Sequence, residues 1–514
     1  MLVQTEHLER TLLTANQNHQ VYCGLDCCVT LEVFEELQRL RNASPAIYDF
    51  ERALQAPYLD IMQRGFLVDT VARGRAIESL QKRIAHCREV LDEFAGAIWN
   101  AGLNPASYKQ LQAFFFGAMQ LPPIWISVKG VRRISCNREA LEKIDEYYYA
   151  RPFVQLILRI RDLAKQLDFF TIGIDSDNRF RAGYNIAGTE TGRPSSSENA
   201  FGTGGNAQNV APHLRYVLVA DPGMKMCVID LEQVEARDVG YFCGCLFDDW
   251  GFLDACESGD LHTNNAKRIW PELPWPGDPA GDRNIAEQIF YREFSYRDMA
   301  KRGSHLSNYM GTAWTASRSL KVPLKIMENF QARYCRGGDG ITPAFPVIPR
   351  YWQWVAQQLQ TIGHLTTPFG RTRHFLGRPG DDATLREAIA FLPQSTTADR
   401  MNLGLWRVWK HLPQVQLLAQ TYDSITFQFP EWENHDEIIS KALDLIRVEL
   451  VAPNGRKYVV PGDAKVGWNW ANVPSAKQLA QGAHPNPLGL KKWKLGMVDD
   501  RMRNEDILER MVGA

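Results

Sequence analysis

The sequence predicts a mainly helical α+β fold, on three observations. Apolar residues recur at three- and four-residue spacings through long stretches such as TVARGRAIESLQKRIAHCREVLDEFAGAIWNAG, which is the period of an amphipathic helix. Two short apolar segments, MCVID and the second half of LLAQTYDSITFQF, read instead as strands, and each lies beside an aspartate, Asp230 or Asp423. A length of 514 residues exceeds what one core supports, so several domains are expected, and no repeat of about twenty to fifty residues points to a solenoid.

Composition excludes several classes. The start, MLVQTEHLER, lacks the basic and apolar regions of a secretory signal, and nowhere do about eighteen apolar residues run together, so no membrane partner is expected. The ten cysteines show no paired zinc spacing and no disulfide-scaffold density, which suits a reduced, cytoplasmic protein. Net charge is −1 and decides little, but residues 292–336 carry nine Lys or Arg against three acids, either a solvated helix face or a phosphate-binding surface.

The first element is VYCGLDCCVTLEVFEEL, Val21 to Leu37, where Asp26 precedes a helical pattern and reads as its N-cap rather than as a metal ligand. Beyond Pro45 the chain reads as helix, breaks up between Asn104 and Asn137, and resumes through IRDLAKQLDFF, which suggests a helical arm with an irregular tip. A Gly- and Ser-rich loop, TETGRPSSSENAFGTGGNAQN, leads to the strand that ends at Asp230. Helices then dominate from Leu253 to Lys410, interrupted by ITPAFPVIP and HLTTPFGRTRHF, before the hairpin that carries Asp423. The last residues, from Ala471, carry Pro, Gly and Lys and are expected to form a loosely attached tail.

Three stretches carry chemistry. KMCVIDLEQVEARDVGYF delivers Asp230 at a strand end, and TYDSITFQF places Asp423 at a hairpin turn, where turn chemistry alone would also favour it. Brought together, the two carboxylates could hold paired Mg²⁺ ions. In RDMAKRGSHLSNYMGT, Arg297, Lys301, His305 and Tyr309 are four residues apart, so each step drifts only about 40° and the four share one helix face. Cations at one end could grip a triphosphate, and the rings at the other could stack on a base.

In this order, DLEQVEAR, RDMAKRGSHLSNYMG and QTYDSITFQ resemble motifs A, B and C of the family A DNA polymerases, the bacterial polymerase I and phage replicative type. TGRPSS, NAQNV, GDLHT, FGRTRHF and REAIAFLPQSTTADRM also resemble family blocks, so the similarity runs from about Val21 to Trp470. The resemblance implies a right-hand polymerase: a remnant of a 3′-to-5′ exonuclease domain at residues 1–44, a mostly helical thumb at 45–185, palm at 186–250 and 389–470, fingers at 251–388, and a tail at 471–514. It implies an enzyme that adds dNMPs to a primer 3′-hydroxyl and releases pyrophosphate, working in the cytoplasm, or the host cytoplasm if phage-encoded. Asp230, Asp423 and the Leu231 carbonyl would hold two Mg²⁺ ions, with Mn²⁺ as an alternative.

By the same resemblance, Arg297, Lys301, His262, His305, Tyr309, Gln233 and Glu235 would bind the dNTP, Lys301 acting in catalysis and Glu235 as the gate against a ribose 2′-hydroxyl. Arg193, Asn206, Gln208, Asn209, Arg386, Gln394, Gln420 and Tyr422 would contact primer–template DNA. Amides and guanidinia suit the minor groove, whose acceptors at A·T pairs are the same in either orientation.

Some positions depart from the family pattern. Tyr422-Asp423-Ser424 stands where His-Asp-Glu is common, His305 where Phe or Tyr is usual, and Met310 where a glycine usually follows the motif B tyrosine. Tyr22 and Asp26 resemble the last exonuclease motif, but the preceding residues offer only Glu6 and Glu9 as acids, so no proofreading is expected of this chain alone. A separate 3′-to-5′ exonuclease polypeptide is a candidate partner. The alternative reading is a DNA-binding paralogue without catalysis, which the serine of motif C favours and the retained Asp230, Asp423, Arg297 and Lys301 disfavour.

Overall fold

Five antiparallel strands build the central sheet: β1 (Met224–Leu231), β2 (Gln416–Thr421), β3 (Ser424–Pro430), β4 (Gly462–Gly467) and β5 (Lys491–Lys492), in the order β2-β3-β1-β4-β5. The computed structural model describes residues 14–39, 45–99, 102–128, 131–338, 340–480 and 483–497. Side chains alternate along a strand, so Met224, Met226, Val228 and Asp230 share one face of β1, and Cys227, Ile229 and Leu231 share the other. The second face is buried throughout, against a core that includes Ile425, Phe427, Ala464 and Val466. Burying each such Ile, Val or Phe stabilises the sheet by about 1.5–3 kcal/mol.

Cover on the first face gives out along the strand. Met226 is fully buried in a second core with Ala419 and Trp470, Val228 is half-buried, and Asp230 is exposed. The acid therefore surfaces where one face of an otherwise covered sheet opens.

Among the described residues the helices include α1 (Ala15–Arg39), α2 (Pro45–Arg64), α3 (Thr70–Gly96), α4 (Arg151–Thr171), α5 (Val234–Phe247), α6 (Leu261–Ile269), α7 (Tyr296–Asn308) and α8 (Asp382–His411). Asp69 caps α3 by accepting from the Ala72 N–H at 2.8 Å, and α3 packs on α4 through Leu80, Ile84, Leu91, Val154, Ile157 and Leu163. Between them lie a short helix, Tyr108–Gln112, a π-turn, Ala113–Ala118, and a hairpin of Trp125–Val128 with Val131–Ile134.

Two expectations fail. Asp26 is not a cap: α1 runs unbroken from Ala15, and the Asp26 carbonyl accepts from the Thr30 hydroxyl at 2.6 Å inside it. Leu25, Val21 and the cysteines tolerate helix, so the capping preference of Asp yields to propagation from a start near Thr14. The tail is not loose through its described part either. Leu490 is buried, Lys491–Lys492 adds β5 to the sheet, and the Trp493 indole donates to Asp436 at 3.0 Å. Its Pro and Gly mark turns, while Leu490 and Trp493 anchor it. Glu6, Glu9 and residues 498–514 lie outside the described residues.

Candidate active site

Local backbone geometry delivers the two acids to one place. After β1, Gln233 takes a left-handed conformation (φ 53°) and α5 begins, which puts Glu235 in its first turn. Tyr422 is likewise left-handed (φ 55°), which closes β2 to β3 in a two-residue turn with Asp423 at its second position. The Asp423 carbonyl accepts from the Leu231 N–H at 3.0 Å, so the turn is stitched to the end of β1. Asp230 lies directly across from Ser424 on one side and from Asp463 on the other. The Ser424 hydroxyl is spent locally: it donates to the Thr421 carbonyl at 3.1 Å and is buried.

Although the Asp230 side chain meets solvent, the protein packed around it, followed by the charges of Asp423, Asp463 and Glu232, raises its pKa to about 7 against the opposing Lys465. Burial also raises Asp423, with Glu235 adding to the effect and Arg193 opposing it. Two carboxylates held this close with too little positive charge suit a hard divalent cation. Among the described residues no three His, Cys, Asp or Glu side chains converge as a ligand set. Divalent ions with oxygen ligands can be held by one or two carboxylates and complete their shell with water and substrate phosphates.

The second group forms on α7 and α6. Ser295 and Asp298 make a reciprocal capping box that fixes the start of α7. Arg297 donates twice to Asp260, Nε and Nη2 each at 3.0 Å, and Asp260 also caps α6 and accepts from Arg283 at 2.6 Å. Burial opposes ionisation of Asp260, but the hydrogen bonds from Arg297 and Thr263 prevail and hold its carboxyl well below the usual range. Burial, then the charges of Arg297 and Lys301, lower His262 to about 4, so its imidazole is neutral at physiological pH, and its Nδ1 is buried without a hydrogen-bond partner among the described residues. Lys301 is exposed one turn along α7 from Arg297.

A third group joins the first two. The Tyr309 hydroxyl donates to Glu235 Oε2 at 2.6 Å, and Arg193 donates to Oε1. Burial works against ionisation of Glu235, yet these partners keep its carboxyl below the usual range. The His305 ring meets Tyr309 edge to face at 5.3 Å. From Tyr309 to Lys301 is eight residues, about 12 Å along the helix.

Arg193 also lies over the Tyr422 ring at 5.9 Å, and the Tyr422 hydroxyl donates to Asn209 at 3.1 Å. The Gln208 amide reaches Gln420 at 3.3 Å, Gln420 donates to the Tyr422 carbonyl at 2.7 Å, and Asn206 accepts from Ser196 at 2.8 Å. Arg386 and Gln394 are not drawn in. Arg386 folds back on Asp382, donating to its carbonyl at 3.1 Å, Gln394 is half-buried on α8, and neither shares a hydrogen bond with this network among the described residues. Tyr22 and Asp26 lie on exposed faces of α1.

Three contributors carry little signal in the sequence. Asp260 was legible in principle as an acid just before a helix, and Tyr184, whose hydroxyl donates to the Gln420 carbonyl at 3.1 Å, had no local signal. Asp463 comes beside Asp230 only through strand pairing.

A mainly helical α+β body with an acid pair at an open sheet end and a cationic helix facing it is the architecture of a right-hand polymerase. The POL domain of Pol1 from M. smegmatis, solved in complex with DNA primer-template and dNTP, shares this fold, with a TM-score of 0.63 at 22% identity over 82% of this chain and 69% of that one. The family model for DNA polymerase family A matches residues 74–472, and the chain belongs to that family. DNA polymerase I of Chloroflexus aurantiacus is 25% identical over 87% of this chain and 46% of its own length, and the thermostable DNA polymerase I of Thermus aquaticus is 26% identical over 74% and 44%. The chain thus spans about half the length of the curated relatives it matches. No helix among the described residues is long and apolar enough to cross a membrane.

Proposed function

We propose that this chain is a template-directed DNA polymerase that extends a primer 3′-hydroxyl with dNMPs and releases pyrophosphate, without proofreading of its own. The observation that carries the reading is the grouping of Asp230, Asp423 and Glu235, close enough that their charges act on one another, with Glu235 hydrogen-bonded to Tyr309 at the end of α7, the helix whose Arg297 and Lys301 charges act on His262. Residues 45–185 serve as thumb, 186–250 and 389–470 as palm, and 251–388 as fingers. Two divalent ions bound by Asp230, Asp423 and the Leu231 carbonyl would supply charge neutralisation and an activated 3′-oxygen. Lys301, Arg297 and the neutral His262 hold the phosphates, Tyr309 and His305 border the base, and Glu235 lies where a 2′-hydroxyl would crowd it. The Arg193, Asn206, Gln208, Asn209, Gln420 and Tyr422 network holds the primer terminus, with Arg386 and Gln394 entering when DNA binds. The ten free thiols suit a cytoplasmic setting. Tyr22 and Asp26, exposed on α1, would be open to a separate exonuclease polypeptide.

Extension of a labelled primer by the purified chain with Mg²⁺ and dNTPs tests this reading, and binding without incorporation under varied metals would favour the inactive paralogue. Glu235→Ala is expected to reduce the preference for dNTPs over rNTPs by about tenfold or more, measured as the ratio of kcat/KM values. An unchanged ratio would remove Glu235 from sugar selection.

Metal binding should also compete with protons. Asp230 is raised to about 7, so below that pH the metal must displace a proton and above it need not. Mg²⁺ or Mn²⁺ affinity, measured by calorimetry without nucleotide, is expected to be about threefold to tenfold weaker at pH 6 than at pH 8, the smaller figure allowing for solvent screening. Equal affinities at the two pH values would contradict the coupling.

A further inference from the structure

We infer that Arg371 and Arg373, in FGRTRHF, are positioning residues: they clamp the Thr189–Arg193 loop so that Arg193 meets Glu235 and the primer terminus. The inference rests on the polymerase reading above, and it concerns two residues that the site as described does not use.

Arg371 lies in the turn of the hairpin His364–Thr366 with Thr372–His374. Its side chain is only 11% exposed, and its guanidinium is fixed from below: Nη2 donates to Asp399 at 2.8 Å, Nε to the same carboxylate at 3.0 Å, and Nη1 to Glu51. Asp399 belongs to α8 and Glu51 to α2, so two helices hold one planar group still. The upper surface of that plane carries Gly192. A Cβ there would fall 2.6 Å from both Cζ and Nε of Arg371, and Gly192 has φ +76°, so any other residue would be strained and would push against the guanidinium.

The loop is gripped at further points. Asn402 donates to the Gly192 carbonyl at 3.2 Å while accepting from the Tyr58 hydroxyl at 2.8 Å. Arg373 pairs with Glu190 of the loop and with Glu387 of α8, the latter at 2.9 Å. Within the loop, the Thr189 hydroxyl donates to the Arg193 carbonyl at 2.7 Å and the Gly192 N–H to the Thr189 carbonyl at 3.2 Å. The segment therefore moves as one piece, and wherever the clamp sets Glu190 and Gly192, Arg193 follows. Arg193 in turn reaches Glu235 and the Tyr422 ring. A displacement of this loop would reach both the sugar gate and the primer-side network, because one side chain serves them.

The alternative is that Arg371 is a staple between α2 and α8 with no bearing on Arg193. Arg371→Lys separates the two, since lysine keeps a positive charge beside Asp399 but has no planar surface for Gly192. The experiment compares wild type, Arg371→Lys, Arg193→Ala and the double variant, by primer–template affinity from fluorescence anisotropy and by single-nucleotide incorporation. Arg371→Lys is expected to lower kcat and primer–template affinity by about tenfold with the dNTP KM within about threefold, and to add less than about twofold to the loss in Arg193→Ala. Wild-type values for Arg371→Lys, or losses that multiply in the double variant, would overturn the clamp. If thermal unfolding shows that Arg371→Lys does not fold, Glu190→Ala takes its place, because Glu190 is exposed: a smaller loss that vanishes in the Arg193→Ala background supports the inference, and one that multiplies overturns it. A wild-type chain that binds primer–template without extending it fails the polymerase reading alone, since the affinity cycle still tests the clamp. One that binds no primer–template fails both.

Discussion

Asp423→Asn is expected to abolish primer extension, lowering kcat by about three orders of magnitude or more, equivalent to about 4 kcal/mol of transition-state stabilisation, while primer–template affinity stays within about threefold. Asparagine keeps the shape and the turn but gives up the negative charge. Asp423 sits in a turn whose geometry is set by the left-handed Tyr422 and by the bond from its carbonyl to the Leu231 N–H, and asparagine suits both. Loss of activity through misfolding is therefore separable from loss of the charge. In the metal-free chain, burial and Glu235 raise the Asp423 pKa, so ionisation costs stability as pH rises above the ordinary carboxylate range. At pH 8 the neutral asparagine removes that cost, and the metal-free variant should melt at or above the wild-type temperature. A lower melting temperature accompanying the lost activity would point to a structural role, and undiminished extension would remove Asp423 from the site. Ser424, one residue on, makes the test sharper: its hydroxyl is tied to Thr421 and leaves Asp423 as the acid of this turn.

The elements whose order is local were legible in the sequence. β1 and the β2–β3 hairpin announce themselves by apolar runs bounded by turn residues, and α7 by its four-residue spacing, so the sequence alone locates Asp230, Asp423, Arg297, Lys301, His305 and Tyr309 on these elements. What pairing between distant segments decides was not legible. Asp463 stands beside Asp230 only because β4 pairs with β1, and Tyr184 supports Gln420 across 236 residues of chain. Arg297 looked like a cation awaiting phosphate, whereas its fork is already closed on Asp260. Asp26 shows the opposite error: a real local preference for capping was overruled because the flanking residues on both sides accept helix. The tail departs from expectation for a related reason, since composition registers its prolines and glycines but not that Leu490 and Trp493 dock it.

The grip of Asp260 on Arg297 separates the two cations of α7 and gives the second large prediction. Lys301→Ala is expected to lower kcat by about a hundredfold or more with a smaller change in the dNTP KM, because an exposed ammonium can move onto charge that develops as the phosphate is transferred. Arg297→Ala should act differently. Its guanidinium must leave a carboxylate held well below the usual range before it can serve a phosphate, so part of its binding energy is offset in the ground state. Removing it leaves Asp260 to Arg283 and to the helix cap, and places an imperfectly balanced negative charge beside the incoming triphosphate. The expected result is a rise of about tenfold in the dNTP KM that exceeds the fall in kcat. Steady-state kinetics with one templated dNTP distinguish the pair: Lys301 read mainly in kcat and Arg297 mainly in KM. The reverse pattern would mean that Arg297 is released from Asp260 before chemistry and that Lys301 serves only to attract the nucleotide.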